Sequence, residues 1–286
     1  MWRLLRFAVG AALAVQATAG WARDEAQLAR GKYLMNGVVA CANCHIARGD
    51  KGQPLFDQGM SGGMLFEDSA FKAYAANITP DRETGIGAWT DAQIAKAVRE
   101  GIRPDGSVIG PPMPISFYRN LSDTDLAAII AYLRAQPAVR HVVPKSVYHM
   151  PLPRRYGPPV AHVSAPPASD VLKYGRYLAN IGHCMDCHTP RDSQGRLVTA
   201  SWGAGGQVIK WPGGKVVTPN LTPDKSGLGT WTDAQIEHAI RDGVDNHGRH
   251  LAPLMAFDWY RNIDGADMHA LIAYLRALKP LPFGGK

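Results

Sequence analysis

The chain has 286 residues, of which 46% are hydrophobic, and its formal net charge is +7. The excess of basic residues is small and forms no basic run, which argues against a nucleic-acid-binding protein. About 260 residues beyond a short N-terminal leader are enough for two compact domains.

The first 22 residues have the pattern of a secretory signal peptide. Arg3 and Arg6 precede an apolar stretch over residues 7–15 that is too short to span a bilayer. An A-x-A site predicts cleavage after Ala19, and an overlapping site predicts it after Ala22. An uncleaved anchor is the alternative. No other segment has the length and hydrophobicity of a membrane span, so we expect an exported protein without a transmembrane segment after cleavage. Such a product would be soluble or held peripherally at the membrane.

Each half of the chain predicts three main helices in the same order. The first covers about residues 24–36, and the third begins near Ser122. Between them, Thr90 and Gln93 have the spacing of a capping box, and Gly101 ends the helix that they begin. The second half repeats these signals at about residues 169–180, at Asp264, and at Thr232, Gln235 and Gly243. Strand signals are weak and predict only two to four short strands, in the glycine-rich segments 52–63 and 203–214.

All four cysteines lie in two C-x-x-C-H motifs, formed by Cys41, Cys44 and His45 and by Cys184, Cys187 and His188. This is the attachment signature of a c-type haem, in which the two thiols form thioethers with the haem vinyl groups. The adjacent histidine then supplies the proximal ligand of the iron. The sequence therefore predicts two covalently bound haem c groups, and export fits this because bacterial haem attachment takes place in the periplasm.

Zinc binding and thiol redox chemistry are the alternative interpretations of these cysteine pairs. A joint zinc site would require the four cysteines to converge from opposite halves of the chain. Neither alternative gives a reason for the histidine that follows each pair.

The two halves are related by duplication, because they repeat at an offset of 142 to 144 residues. Segments 77–81 and 87–94, for example, recur as 220–224 and 229–236. A period this long indicates duplicated domains and not a solenoid. Residues 137–169 carry eight prolines, which favour extended and irregular backbone. We predict a signal peptide at 1–22, a first domain at 23–136, a proline-rich linker at 137–169 lying against both domains, and a second domain at 170–286.

The sixth iron ligand is predicted to be a methionine in each half. Soft thioether sulfur opposite histidine favours ferrous iron and raises the reduction potential. Met113 lies between prolines in the sequence GPPMP, and Met255 occupies the matching place, 68 and 67 residues beyond the motif histidines. Ordinary core packing is the alternative for both methionines. His247 or His250 would instead give a bis-histidine second haem.

Four further residues repeat between the halves and are candidate contacts of the haem propionates. The indole N–H groups of Trp89 and Trp231 are potential donors, and Arg99 and Arg241 carry the complementary charge. The alternative is that the tryptophans fill the core and the arginines lie on a solvated helix face.

Segment 77–90, its second copy at 220–232, and the terminal runs 128–133 and 270–275 resemble the cytochrome c subunits of periplasmic, membrane-associated bacterial dehydrogenases for alcohols, aldehydes, gluconate and sorbitol. The resemblance covers nearly all of the chain after the leader. It implies an all-α fold of two tandem class I cytochrome c domains, with long loops and few short strands, and His/Met ligation. Many of those subunits carry three haems and some end in a membrane anchor, whereas the two motifs here predict two haems.

We therefore expect a periplasmic dihaem cytochrome of a respiratory chain. It would take electrons from a dehydrogenase subunit and pass them to a downstream cytochrome, oxidase or quinone-linked partner. The alternative is a dihaem redox enzyme of the peroxidase or thiosulfate-oxidising type. A peroxidase needs an open or displaceable sixth site, and the known thiosulfate-oxidising type resembles a site with a cysteine ligand, for which this chain has no spare cysteine. No catalytic residue is assigned.

Overall fold

A computed structural model describes residues 24–50, 52–211 and 214–284 of the chain. The expected signal peptide at residues 1–22 lies outside this part. The described residues form ten α-helices and five short strands, so the predicted mostly helical fold is confirmed. Within these ranges no helix combines the length and apolar character that a membrane span requires.

The two halves have the same order of helices. In the first half these are α1 over 24–36, α2 (Cys41–His45), α3 (Asp91–Glu100), α4 (Ile115–Tyr118) and α5 (Asp123–Arg134). In the second half they are α6 (Val171–Ile181), α7 (Cys184–His188), α8 (Asp233–Asp242), α9 (Phe257–Tyr260) and α10 (Gly265–Arg276).

The helix ends follow from the caps that the sequence predicts. The Thr90 hydroxyl accepts a hydrogen bond from Gln93 N (3.2 Å), and the Gln93 side chain accepts one from Thr90 N (2.8 Å). Gly101 ends α3 in the left-handed region, with a φ of 67°. Thr232, Gln235 and Gly243 repeat this arrangement, and Ser122 and Asp264 cap α5 and α10. These local predictions are confirmed.

The strands form two small antiparallel sheets. Strands β1 (Leu65–Glu67), β2 (Phe71–Tyr74) and β3 (Val147–Tyr148) pair in that order, and β4 (Val208–Trp211) pairs with β5 (Gly214–Val217). The described residues form five strands where the sequence predicts two to four, and the first strand begins at Leu65, after the predicted segment 52–63. The reason is that Gly59, Gly62 and Gly63 take positive φ angles, so this stretch turns back to the end of α2, where Gly62 N donates to His45 O, before β1 begins.

In each half, the helix that precedes the cysteine motif crosses the terminal helix at a glycine. A Cβ atom added to Gly31 would lie 2.0 Å from the carbonyl oxygen of Ala128 on α5. A Cβ atom on Gly175 would lie 1.9 Å from the carbonyl oxygen of Ala270 on α10. Only glycine permits this approach, so the two crossings fix α1 on α5 and α6 on α10.

Crossed hydrogen bonds join the two halves. The Tyr33 hydroxyl on α1 donates to Asp267 Oδ2 on α10 (2.7 Å), and the Tyr177 hydroxyl on α6 donates to Asp125 Oδ2 on α5 (2.6 Å). Each hydroxyl also accepts a hydrogen bond from the backbone N–H of the residue that caps the opposite terminal helix, Asp264 or Ser122. The two halves therefore meet with approximate two-fold symmetry.

One guanidinium breaks this symmetry. Arg30 on α1 forms an ion pair with Asp125 (2.8 Å) and lies 3.9 Å from Asp267. Tyr174 occupies the equivalent place on α6, 144 residues further on. Burial raises the pKa of Asp267, and the hydrogen bond from Tyr33 and the charge of Arg30 offset this only in part.

The proline-rich segment 137–169 packs against the first half. It contributes β3, the Tyr148 hydroxyl donates to Pro111 O (3.1 Å), and the Tyr156 hydroxyl donates to Ile109 O (2.8 Å). These contacts brace the loop between α3 and α4. The limits of the segment as a linker between domains stay a prediction.

We predict that Gly175→Ala destabilises the holoprotein by at least about 2 kcal/mol, because its Cβ would overlap the backbone of α10. The matched control is Gly265→Ala in α10, since an added Cβ there meets no described atom within 4 Å. The control should change the free energy of unfolding by less than about 1 kcal/mol. Denaturant unfolding measures both, and equal effects would contradict the close crossing.

We predict that Tyr33→Phe or Tyr177→Phe each costs about 1–2 kcal/mol, because each leaves a buried carboxylate without its phenolic donor. Tyr74→Phe is the control, since the Tyr74 hydroxyl has no hydrogen-bond partner among the described residues. Unfolding followed by fluorescence checks this prediction. A loss no larger than that of the control would show that the crossed bonds do not stabilise the interface.

Candidate functional site

Each cysteine motif forms a single helical turn directly after the first long helix of its half. The residue before the turn takes a left-handed conformation, with a φ of 50° at Ala40 and 46° at His183. This abrupt change of direction starts α2 or α7 at the first cysteine. Because residues three apart lie on the same face of a helical turn, both thiols of a motif project to one side.

The two motif histidines have equivalent hydrogen bonds. His45 Nδ1 lies 2.8 Å from Ala76 O, and His188 Nδ1 lies 2.8 Å from Pro219 O. Burial lowers the pKa of both imidazoles, so both are neutral and Nδ1–H is the donor to the carbonyl. Nε2 then carries the free lone pair, and no hydrogen bond joins it to another described residue. A carbonyl that fixes the tautomer and ring orientation in this way is the usual support of a metal-binding histidine.

The four cysteines are unpaired thiols with partly buried side chains. Burial raises the pKa of Cys41 and Cys184 to about 12 and that of Cys44 and Cys187 to about 11. Redox-active cysteines have lowered pKa values, so these environments do not favour thiol–disulfide exchange. In the described part of the chain, no group of three or more His, Cys, Asp or Glu side chains forms a potential metal cluster.

Met113 and Met255 occupy matching places. Each immediately precedes the turn into α4 or α9, and the carbonyl of each accepts a hydrogen bond of 2.9 Å from the N–H two residues further on. Both side chains are partly buried against the core. His247 and His250 lie on an exposed turn instead. Ligation of iron by the methionines stays a prediction.

The predicted propionate contacts divide into two kinds. The indole N–H groups of Trp89 and Trp231 make no hydrogen bond to a described residue and are available as donors. Arg99 is buried, donates to Leu121 O and pairs with Asp123 at 2.6 Å. Arg241 donates to the carbonyls of Arg261 and Ile263. The arginines therefore have structural partners in this chain, and contact with a propionate stays a prediction for all four residues.

Sequence reasoning assigned no role to two tyrosines beside the motifs. The Tyr118 hydroxyl donates to Val39 O and the Tyr260 hydroxyl donates to Gly182 O, both at 3.4 Å. Burial raises the pKa of both phenols, which therefore stay protonated. The repeat of Tyr118 at Tyr260 was the signal that could have identified them.

The two motifs lie near the interface between the halves. The Tyr118 ring on α4 forms a T-shaped pair with the ring of His183, which immediately precedes the second motif, and the ring centroids are 5.9 Å apart. In the opposite direction, the Arg48 guanidinium, three residues beyond His45, lies 6.0 Å from the centre of the Trp259 ring on α9. Each motif is thus adjacent to the short helix of the other half.

Comparisons with known proteins agree on one class of protein. Residues 26–133 match the family described as cytochrome c oxidase, cbb3-type, subunit III. The chain is 31% identical over 266 residues to the fructose dehydrogenase cytochrome subunit of Gluconobacter japonicus, covering 88% of this chain and 52% of that protein. It is 31% identical over 282 residues to the cytochrome c subunit of the quinone alcohol dehydrogenase of Gluconobacter oxydans, covering 91% and 56%. The chain thus spans about half the length of these dehydrogenase subunits.

A relative of similar length also matches. The dihaem c-type cytochrome of Cereibacter sphaeroides is 30% identical over 253 residues, which cover 82% of this chain and 81% of the relative.

We predict that Cys44→Ser weakens or abolishes covalent attachment at the first motif only, because each C-x-x-C-H turn has its own cysteines and histidine. Cys187→Ser is the matched variant for the second motif. Mass spectrometry of tryptic peptides measures attachment at each motif. Loss at both motifs from either single substitution would contradict independent attachment.

Proposed function

The chain belongs to the cytochrome c family, and from that premise we propose that it is a dihaem electron carrier that serves a dehydrogenase. One haem c would be bound in each half, and haem supplies one-electron redox chemistry at its iron. Electrons would leave to a downstream cytochrome, an oxidase or a quinone-linked acceptor.

One observation supports this proposal most strongly. In both halves a motif histidine has its Nδ1–H held by a backbone carbonyl at 2.8 Å, which leaves Nε2 for the iron. Cys41 and Cys44 would bind the first haem, and Cys184 and Cys187 the second. His45 and Met113 would hold the iron of the first haem, and His188 and Met255 that of the second. Each of these eight residues has a counterpart of the same type in the other half, as expected for two sites of the same type.

The domain organisation follows the repeat. We propose a first domain at 23–136 and a second at 170–286, of the class I cytochrome c type, because α1–α5 and α6–α10 have the same order. The proline-rich segment 137–169 would connect them while covering part of the first.

The partners and the compartment are inferred from the relatives and from the leader. The dehydrogenase cytochrome subunits that match this chain support a dehydrogenase as electron donor. The chain corresponds to about half of their length, so the resemblance supports a dehydrogenase as donor without identifying the substrate of that dehydrogenase. The signal peptide predicted at residues 1–22 supports a periplasmic location, where the protein would be soluble or peripheral to the membrane.

The polypeptide would contribute ligation, burial and placement. A histidine fixed by a backbone carbonyl and a methionine would hold the iron in each half, and a ligand set that stays the same in both redox states would keep the reorganisation small. The position of both motifs at the interface between the halves would let an electron pass from one haem to the other within the chain.

We predict that Met113→Ala and Met255→Ala each remove about half of the weak far-red methionine–iron charge-transfer band of the oxidised protein. Each should also lower the reduction potential of one haem, since thioether sulfur favours ferrous iron. Met150→Ala is the control, because this methionine is 39% exposed and lies outside both predicted sites.

Optical titration of the three variants and of the wild-type protein distinguishes methionine ligation at both haems from an open site at one of them. Full band intensity in either ligand variant would refute that assignment. A wild-type band of half intensity, together with one high-spin haem, would contradict the carrier and favour a redox enzyme with an open site.

A further inference from the structure

An arginine follows each cysteine motif at the same distance along the chain. Arg48 and Arg191 occupy matching places, three residues beyond the motif histidine. Each guanidinium donates a hydrogen bond back into the motif, Arg48 to Asn43 O at 2.8 Å and Arg191 to Asp186 O at 3.3 Å. A guanidinium is therefore held against the turn that would bind haem in each half.

The residue that accepts this bond differs in charge between the halves. Asp186 also presents a carboxylate, and its Oδ1 lies 2.5 Å from the guanidinium of Arg191. Asn43 occupies the equivalent place in the first motif and carries no charge. Because opposite charges in contact largely cancel at a distance, Asp186 neutralises Arg191, and Asn43 cannot do the same for Arg48.

The other surroundings of Arg48 leave its charge uncompensated. Arg48 donates to Gly52 O at 3.0 Å, and its Nε is buried without a hydrogen-bond partner among the described residues. Its guanidinium lies 6.0 Å from the centre of the Trp259 ring. An aromatic face stabilises a cation but does not neutralise it. The first motif therefore has a positive charge beside it that the second motif lacks.

The rest of the two loops agrees with this difference. Residues 41–54 contain two basic and one acidic residue, a net charge of +1, whereas residues 184–197 contain two of each and are neutral. In the second loop, Asp192 and Arg196 pair at 2.8 Å. His183, immediately before the second motif, adds no positive charge there, because burial lowers its pKa.

The arginines repeated on α3 and α8 show no such difference. Arg99 pairs with Asp123 at 2.6 Å, and its counterpart Arg241 pairs with Glu237 at 2.6 Å. Charges that lie on the surface further from the motifs are screened by salt over about 8–10 Å. The contrast between Arg48 and Arg191 is therefore local to the predicted haem sites.

We propose that Arg48 raises the reduction potential of the haem at the first motif above that of the haem at the second. This rests on the dihaem carrier proposed above. Reduction lowers the positive charge of the iron by one, so an uncompensated cation nearby favours the reduced state. Passing one electron from the second half to the first oxidises one iron, reduces the other and needs no further reactant. The downhill direction within the chain is then from the second half to the first.

Two matched backbone amides can report the oxidation state on each side. Gly62 N donates to His45 O and Gly205 N donates to His188 O, both at 2.8 Å. Low-spin ferric iron is paramagnetic and low-spin ferrous iron is not, so each amide signal shifts when the adjacent haem is reduced. In NMR spectra of the nitrogen-15-labelled holoprotein, reduced by one electron per chain, the reduced fraction at Gly62 should be at least about threefold that at Gly205.

The wild-type titration separates failure of this proposal from failure of the proposed function. Equal reduced fractions at Gly62 and Gly205, or a larger fraction at Gly205, would overturn the role of Arg48 while leaving a dihaem carrier. Haem attached at only one motif, or a high-spin haem at either, would overturn the carrier and the proposal together.

An exchange of the two motif residues tests the carboxylate without changing the total charge. Asn43→Asp combined with Asp186→Asn supplies Arg48 with a carboxylate and removes the one that neutralises Arg191. This variant should reverse the preference, so that Gly205 reports the larger reduced fraction. A preference that stays as in the wild-type protein would overturn the proposal.

Matched substitutions of the two arginines should act in opposite directions. Arg48→Gln should bring the two reduced fractions to within about twofold of each other, whereas Arg191→Gln leaves Asp186 unpaired and should widen the difference. Arg48→Lys keeps the charge and should keep the preference, which distinguishes charge from packing. Lys145→Gln removes an exposed cation from the proline-rich segment and should leave both fractions unchanged. Equal effects of Arg48→Gln and Lys145→Gln would overturn the proposal.

Discussion

The helix that leads into each C-x-x-C-H turn touches the backbone of the terminal helix at a glycine. Gly31 lies against Ala128 and Gly175 against Ala270, and neither contact has room for a Cβ. This contact fixes the direction in which α1 and α6 deliver the cysteines and the histidine. The terminal helices in turn follow the loops that carry the methionines. One close approach of two backbones thereby relates the two parts of each predicted iron site.

The crossed bonds of Tyr33 and Tyr177 then relate one site to the other. Each tyrosine hydroxyl binds the terminal helix of the opposite half. The two halves therefore pack against each other, and the motifs lie near their interface. The duplication has diverged elsewhere. Tyr174 replaces the equivalent of Arg30, and the proline-rich segment covers only one of the two hairpins.

Much of this arrangement could be predicted from the sequence because its signals are local. The capping box of Thr90 and Gln93, the stop at Gly101 and the cysteine motifs each depend on residues within a few positions of one another. Long-range contacts gave no such signal. Tyr33 and Asp267 are 234 residues apart and look like ordinary helix residues. The carbonyls that hold the motif histidines belong to the backbone of Ala76 and Pro219, and the side chains of these two residues give no sign of that role.

A spectroelectrochemical titration of the wild-type protein, purified from the periplasm, tests the central claim most directly. It follows the reduced haem band in the visible region and the far-red methionine–iron band of the oxidised form. The account predicts two low-spin haems with high potentials and a far-red band of full intensity for two His/Met sites. A single haem per chain, or a second haem that is high-spin or of low potential, would contradict it.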